Sequence, residues 1–498
     1  MRLIASILEL VARSHVTSGR AEWALVKGAA ASRLAIGVDA HATQLLDDFE
    51  GETTARGAWT LLVGPLSSRN AAGLRRHLDW LRPRPLGTQL SAGLGDRLGL
   101  ATPGHIRAVR AVGSGIAPIF PQQSIREMTR TGRTPSQVLD DAIWGMFAEG
   151  WQEGTGADAD HLKTTGDIDD CLAAGFTMFT IDPGDHVDST ADDAELAILA
   201  EKVTALPWKD LEDSETSQRQ RYLGRSFAAE HLDISFDEPT WLRAAAKYGR
   251  AVAHVARMAR HLEGAARPGS FELEISVDET ETPTSPAEHL WVAAELRRLG
   301  VRWVSLAPRF VGRFEKGVDY IGDLAQLEDD LAAHAALARH FGPYKLSLHS
   351  GSDKFSVYPV AARLTRGLVH LKTAGTSYLE ALRTVATVDP GFFREIYAFA
   401  RERYETDKAS YHVSASLAKA PQAADVPEPE LAGLLEAFDA REILHVTFGS
   451  VLTQKDTTRG LLFKNRLFEL LRSHPDAYAG DLERHFVRHL RPFIKTRG

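Results

Sequence analysis

Cysteine is almost missing from this chain: Cys171 is the single one in 498 residues. No intrachain disulfide can form, and nothing in the thiol usage points to an oxidising compartment. Long apolar runs are missing too, so no membrane-spanning helix is expected. The opening Met1-Arg-Leu-Ile-Ala-Ser-Ile-Leu-Glu-Leu10 carries Glu9 inside its apolar run and lacks a secretory cleavage pattern, which makes the cytoplasm the expected location. Positive charge is in deficit, with 58 Lys and Arg against 66 Asp and Glu and a net charge of −8. That balance counts against nucleic acid as a partner, which calls for a basic face. It leaves room for a small anion met by a few local Arg and Lys residues. No GxxxxGK[ST] phosphate loop occurs, and Gly93-Leu-Gly-Asp-Arg-Leu-Gly99 has the wrong spacing for a dinucleotide fingerprint, so a nicotinamide mechanism is not expected. There is no internal repeat, heptad run or low-complexity tract.

What is present is an ordinary globular composition, 44% hydrophobic and 25% charged, with length enough for a large core. Residues 1–85 read as an N-terminal α/β subdomain that ends at Arg82-Pro-Arg-Pro85, where two prolines break the pattern. Residues 86–498 read as the catalytic domain. In it, short apolar runs alternate with helical periods. The runs begin at Leu98, Ile116, Ala159, Phe176, Phe271, Val301, Tyr344 and Leu368, and helices are expected near 135–147, 286–299 and 324–340. Strands separated by helices in this way predict an α/β fold, a (β/α)8 TIM-like barrel. An insertion over about 188–269 begins as a polar, acidic excursion. It then carries a helix over 239–262, with Gly264 just past its end and His254 packed mid-helix. After the last strand, helical patterns dominate, interrupted near Ser410-Tyr-His-Val-Ser414 and from Ile443 to Ser450.

In such a barrel, functional groups gather where strands end. The stretch Asp158-Ala-Asp-His-Leu-Lys163 holds two carboxylates, an imidazole and an amine. Its adjacent Asp160 and His161 would point to opposite faces of a regular strand, but both can line one pocket where the strand turns. The alternative is a solvated turn. The other strand ends offer Gln123 and Ser124, then Arg126 and Glu127; Thr180 and Asp182 to His186; Glu274, Asp278 and Glu279; Arg309; His349; and His370 with Lys372. Two or three imidazoles with a carboxylate suit a divalent Zn, Mn, Ni or Fe. His161, His349 and His370 lie near three different strand ends and form the candidate metal set, with His186 a fourth candidate further into its loop. The plain alternative is that each hydrogen-bonds within a polar loop. The hydroxyl-rich Ser350-Gly-Ser-Asp-Lys354 and Thr373-Ala-Gly-Thr-Ser377 offer donors for an anion or polyol, or ordinary helix capping.

Several long blocks resemble the bacterial D-tagaturonate epimerase family. They include Phe120-Pro-Gln-Gln-Ser-Ile-Arg-Glu127, Gly156-Ala-Asp-Ala-Asp-His161 and Phe176-Thr-Met-Phe-Thr-Ile-Asp-Pro183. Ile275-Ser-Val-Asp-Glu-Thr-Glu-Thr-Pro-Thr-Ser-Pro286, Leu348-His-Ser-Gly-Ser-Asp-Lys-Phe-Ser-Val-Tyr-Pro359, Lys372-Thr-Ala-Gly-Thr-Ser-Tyr-Leu-Glu-Ala381 and His445-Val-Thr-Phe-Gly-Ser-Val-Leu452 extend the likeness from about residue 95 onward. The resemblance implies interconversion of D-tagaturonate and D-fructuronate with a divalent metal, in hexuronate breakdown. It implies Asp160 as proton acceptor, Glu274 as proton donor and His161 as a metal ligand, to which the strand-end argument adds His349 and His370.

The two ketouronates differ at a hydroxyl-bearing carbon β to the ketone, whose hydrogen enolisation does not activate. A retro-aldol route is expected instead: a base takes the hydroxyl proton, the C–C bond breaks, and the aldehyde turns its other face before the bond re-forms. Arg309, Lys345 or Lys372 would hold the substrate carboxylate, with Gln123, Ser124 and Thr180 as further substrate contacts. The competing readings are a related ketose 4-epimerase or aldolase for a neutral or phosphorylated sugar, and a non-catalytic sugar-acid binder, which would need no acid–base pair.

Overall fold

The computed structural model describes residues 3–28, 31–373, 375–456 and 460–494. Ala374, in the hydroxyl-rich loop noted above, and the first two residues of the opening segment lie outside them. Eight parallel strands close into a barrel, each bonded to the next in chain order. They are β1 (Ser91–Gly93), β2 (Ala117–Ser124), β3 (Gly156–Leu162), β4 (Met178–Ile181), β5 (Glu272–Ser276), β6 (Ser305–Ala307), β7 (Lys345–Leu348) and β8 (Val369–Lys372). The expected (β/α)8 barrel is the observed fold, with one strand misplaced. The run at Leu98 is loop and the start of the helix Thr102–Val112, and β1 lies earlier, at Ser91–Gly93. That strand is too short and too small in its side chains to show a period.

The barrel interior is polar. Along β5, Leu273 and Ile275 join the hydrophobic core while Glu272, Glu274 and Ser276 alternate with them, as strand period two requires. The same alternation turns Lys345 and Ser347 of β7, and His370 and Lys372 of β8, away from Leu346, Leu348, Val369 and Leu371. Helices then cover the apolar outer face. Three begin with a reciprocal capping box, Thr134 with Gln137, Thr164 with Asp167, and Ser285 with Glu288. Thr164 therefore ends the stretch 158–163: its hydroxyl accepts the Asp167 amide and turns the chain straight into a helix.

Ahead of the barrel, five antiparallel strands pair in the order Val16–Ser18, Ala21–Val26, Arg33–Asp39, Trp59–Gly64, Glu52–Arg56. The helix Ser68–His77 packs His77 against Trp23 and Phe49 of this unit. Between β4 and β5 come the helices Leu196–Thr204 and Glu215–Tyr222 and a hairpin, Arg225–Ala229 with Leu232–Phe236, that the sequence pattern did not reveal. The long helix Glu238–Ala265 follows; Asp237 caps it, and Gly264 lies inside its last turn instead of beyond it. No helix among the described residues is long and apolar enough to cross a membrane.

Candidate active site

The chain ends β3 with a bulge. Its register against β4 shifts between Ala159 and Leu162, and His161 takes a left-handed φ of 53°. A non-glycine residue held there costs on the order of 1–3 kcal/mol, a strain that clusters at functional sites. The effect is to bring two sequence neighbours together. Asp160, His161 and His349 offer ligand atoms that all lie within 4.8 Å of one another. Asp182, from the end of β4, sits 3.3 Å from His161 Nδ1 and fixes how that ring is turned. His349, just past β7, has Glu274 at 2.7 Å from Nε2 and Asp278 at 3.1 Å from Nδ1. The two imidazoles meet edge to face, with centroids 5.0 Å apart.

Beneath them Lys372 is buried at the centre of the barrel. Its Nζ lies 2.9 Å from Asp158, 2.6 Å from Asp160 and 2.7 Å from Glu274, and it donates to Thr180 Oγ1 at 2.7 Å. Desolvation works against its charge, yet the carboxylates of Asp158, Asp160 and Glu274 hold its pKa well above the usual lysine value. A lysine so held is an electrostatic post, not a nucleophile. Burial works to raise Asp160, but His161 and Lys372 bring it down to about 2, so it stands ready as an ionised base. Asp158 goes the other way: desolvation pushes it up despite Lys372. Burial would likewise strip charge from the histidines, but Asp160 and Glu279 lift His161 to about 10, and Asp278 helps lift His349 to about 9. Surroundings that favour positive charge here would equally favour a divalent cation in place of the ring protons, held by two neutral imidazoles with carboxylates beside them. A second set, His161, Asp182 and Glu279, shares one histidine with the first.

Two adjoining clefts open over this group, and both are lined by Arg126, Lys316, His349, Ser350 and Tyr411. The inner one reaches Ser124, Asp160, His161 and Lys372; the outer reaches Asp278, Glu279, Arg309, Phe310 and Phe314.

A model of the tagaturonate epimerase family matches residues 12–493. The chain belongs to the tagaturonate epimerase family. A tagaturonate/fructuronate epimerase of Thermotoga maritima is 47% identical over 416 residues, covering 84% of this chain and 83% of that protein. The fructuronate-tagaturonate epimerase of Cohnella laeviribosi superposes with a TM-score of 0.91 in a glycerol complex and 0.90 in its native form, each at 38% identity over 99% of this chain and 98% of that one. The chain is therefore an isomerase, an epimerase acting on carbohydrates.

Within this family member, the structure sorts the residues expected from sequence. Asp160, His161, His349 and Lys372 converge, and Glu274 lies one contact behind them. Ser124 lines the inner cleft and also caps the helix Ile125–Thr131, accepting from Glu127 N at 3.2 Å. Arg309 lines the outer cleft only. Five of the expected residues stand outside that group. His370 is not among the clustered ligand atoms: it lies one alternation deeper on β8, with Nδ1 2.9 Å from Ser91 Oγ. Lys345 is deeper still from the cleft, donating to the same Ser91 hydroxyl at 3.0 Å, with Glu272 and Glu274 as charged neighbours. Thr180 is used internally, its one hydroxyl proton having Asp158 at 3.0 Å and Glu274 at 3.2 Å as alternative acceptors. Gln123 pairs in register with Ala159, whose side chain joins the outer core, because β2 carries a bulge between Ile119 and Gln122. Gln122 takes the inward place instead and donates to Asp160 at 3.2 Å. His186 stacks on His254 with ring centroids 4.2 Å apart, outside the cluster of Asp160, His161 and His349. Lys316 and Tyr411, which line both clefts, carry no sequence signal.

Proposed function

We propose that this epimerase interconverts D-tagaturonate and D-fructuronate, with a divalent cation held by His161 and His349, Asp160 standing beside it as the base, and a retro-aldol course. The observation that carries the reading is the convergence of Asp160, His161 and His349 at the inner cleft. A cation bound there would supply Lewis acidity to the ketone oxygen and draw electron density from the breaking C–C bond. Asp160, ionised and facing the cleft, takes the proton of the C4 hydroxyl. The C3–C4 electron pair moves toward the ketone, and C4 becomes an aldehyde carbon that keeps its hydrogen. After the aldehyde turns its other face, the C3–C4 bond re-forms and the new C4 oxygen takes a proton back. Glu274 is the second acid–base group, linked to Asp160 through Lys372, whose ammonium touches both. Lys372 also keeps the two carboxylates from repelling one another. Holding both three-carbon fragments in the inner cleft would let the bond re-form in place of fragment release.

The test is direct. Metal-loaded protein is incubated with D-tagaturonate and, separately, with D-tagatose, and the products are read by NMR. Conversion of the uronate to D-fructuronate with chain length conserved is expected; two three-carbon products would instead establish an aldolase, and preferred turnover of tagatose a neutral ketose 4-epimerase.

A further inference from the structure

Three basic side chains line the outer cleft, and they are not equivalent. Arg309 reaches only the outer part and donates to the Asp278 carbonyl at 3.4 Å. Arg126 and Lys316 line both parts, beside His349. We infer that Arg126 and Lys316 together form the carboxylate-recognition site that makes this enzyme select a uronate over a neutral ketose; the inference rests on the epimerase reading above.

The arrangement already holds a carboxylate. Glu279 lies between the two cations, taking both terminal nitrogens of Arg126 at 3.1 and 2.7 Å and Lys316 Nζ at 3.5 Å. This is the fork geometry that guanidinium offers to a planar carboxylate. The two cations share this one carboxylate at the cleft wall. Arg126 Nε is buried and has no hydrogen-bond partner among the described residues. Lys316 Nζ also donates to Ser350 Oγ at 2.6 Å, which brings a hydroxyl to the same place.

The distance to the chemistry fits. Glu279, Asp182 and His161 place ligand atoms within 4.8 Å of one another, so a carboxylate in the reach of Arg126 lies next to the proposed metal ligands. The carboxylate and the ketone of a hexuronate are joined by a short carbon chain, which requires the anchor to be this close. Arg309 lines no part of the inner cleft, and Lys345 and Lys372 are engaged inside the barrel.

The site is also built to be rigid. Lys354 donates to the carbonyl of Glu315 at 2.8 Å, and Arg441 Nε donates to that of Gly317 at 2.6 Å, so the backbone is held on both sides of Lys316. Arg126 stands in the first turn of a helix capped by Ser124. The Tyr411 ring lies 5.7 Å from its guanidinium. A neutral ketose presents a hydroxymethyl group here, which offers neither charge nor two acceptors.

The test compares tagaturonate with tagatose in metal-loaded wild-type, Arg126→Met and Lys316→Met enzymes, with kcat and KM separated and metal content and Tm measured alongside. Expected is a drop of about ten- to a hundredfold in the preference for tagaturonate, carried mainly by KM, from the loss of one charge-assisted contact, with Lys316→Arg restoring much of it. Where tagatose is not turned over by any form, the KM rise at unchanged metal content and Tm is the supporting result. A parallel loss on both substrates, a pure kcat loss, or no change overturns the assignment alone. A wild-type enzyme inactive on tagaturonate overturns the epimerase reading and the assignment with it.

Discussion

Asp160 and Lys372 show how much one residue carries here. Asp160 sits beside the proposed metal ligands and is ionised at any physiological pH, so Asp160→Asn removes a base without changing shape. Turnover is expected to fall by about a hundred- to ten-thousandfold, measured by NMR on tagaturonate, with the circular dichroism spectrum unchanged and Tm lowered by the loss of the buried Lys372 ion pair. Lys372 answers a different question. It is buried among Asp158, Asp160 and Glu274, so Lys372→Met leaves three carboxylates facing each other without a cation. A destabilisation of about 3–5 kcal/mol is expected, read by urea unfolding, in addition to lost activity. His161→Ala should lower bound metal, measured by mass spectrometry after dialysis, without a comparable loss of stability, since its ring lies at the cleft and not in the packed interior. Asp160 and His161 are legible in the sequence because adjacent polar residues closing a strand have few structural uses. Gln122 and Gln123 are not separable that way: a bulge in β2 decides which of the two faces inward, and bulges leave no periodic trace.

At the scale of elements, the segment around Tyr411 depends on a pair of carboxyl groups. Ser414 N approaches Glu315 at 2.9 Å and Glu442 at 3.1 Å, and Ala415 N donates to Glu442 at 2.7 Å. Burial, with Glu315 adding to it, pushes the Glu442 carboxyl up to about 8. The groups facing the pair are Arg313, at 3.4 Å from Glu315, the Lys354 ammonium and the Tyr404 phenol. A carboxyl whose folded pKa is raised favours the folded state when protonated. Its contribution is complete below about pH 4.5 and is lost as pH rises through about 8. Tm is therefore expected to fall from pH 6 to pH 9 in the wild type and to fall less in Glu442→Gln, measured by scanning fluorimetry across buffers. Lys316 and Tyr411 were beyond reach of the sequence for a related reason. Their place over the cleft is set by long-range captures, Lys354 and Arg441 on one loop and Glu315 and Glu442 on the other, and no local pattern encodes such contacts. The strands, by contrast, are legible where apolar residues alternate with buried polar ones, and fail only at β1, where three small residues show no period.

For the whole molecule, the polar barrel interior is the feature that connects fold to chemistry. Most of the barrel's inward positions hold charged or hydroxyl side chains, with Lys372 set among Asp158, Asp160 and Glu274 and Lys345 near Glu272. A cation at the inner cleft would add to a region rich in carboxylates and should stabilise the folded state. Metal at about a hundred times its dissociation constant is expected to add about 2.7 kcal/mol, seen as a Tm rise that a chelator reverses and that His161→Ala lacks.

The most direct measurement is epimerisation of D-tagaturonate in D2O by the metal-loaded enzyme, followed by NMR. Expected is D-fructuronate that retains its original hydrogen at the inverted carbon, with turnover lost on chelation and in Asp160→Asn. Deuterium at that carbon, or full turnover without metal, would contradict the retro-aldol course.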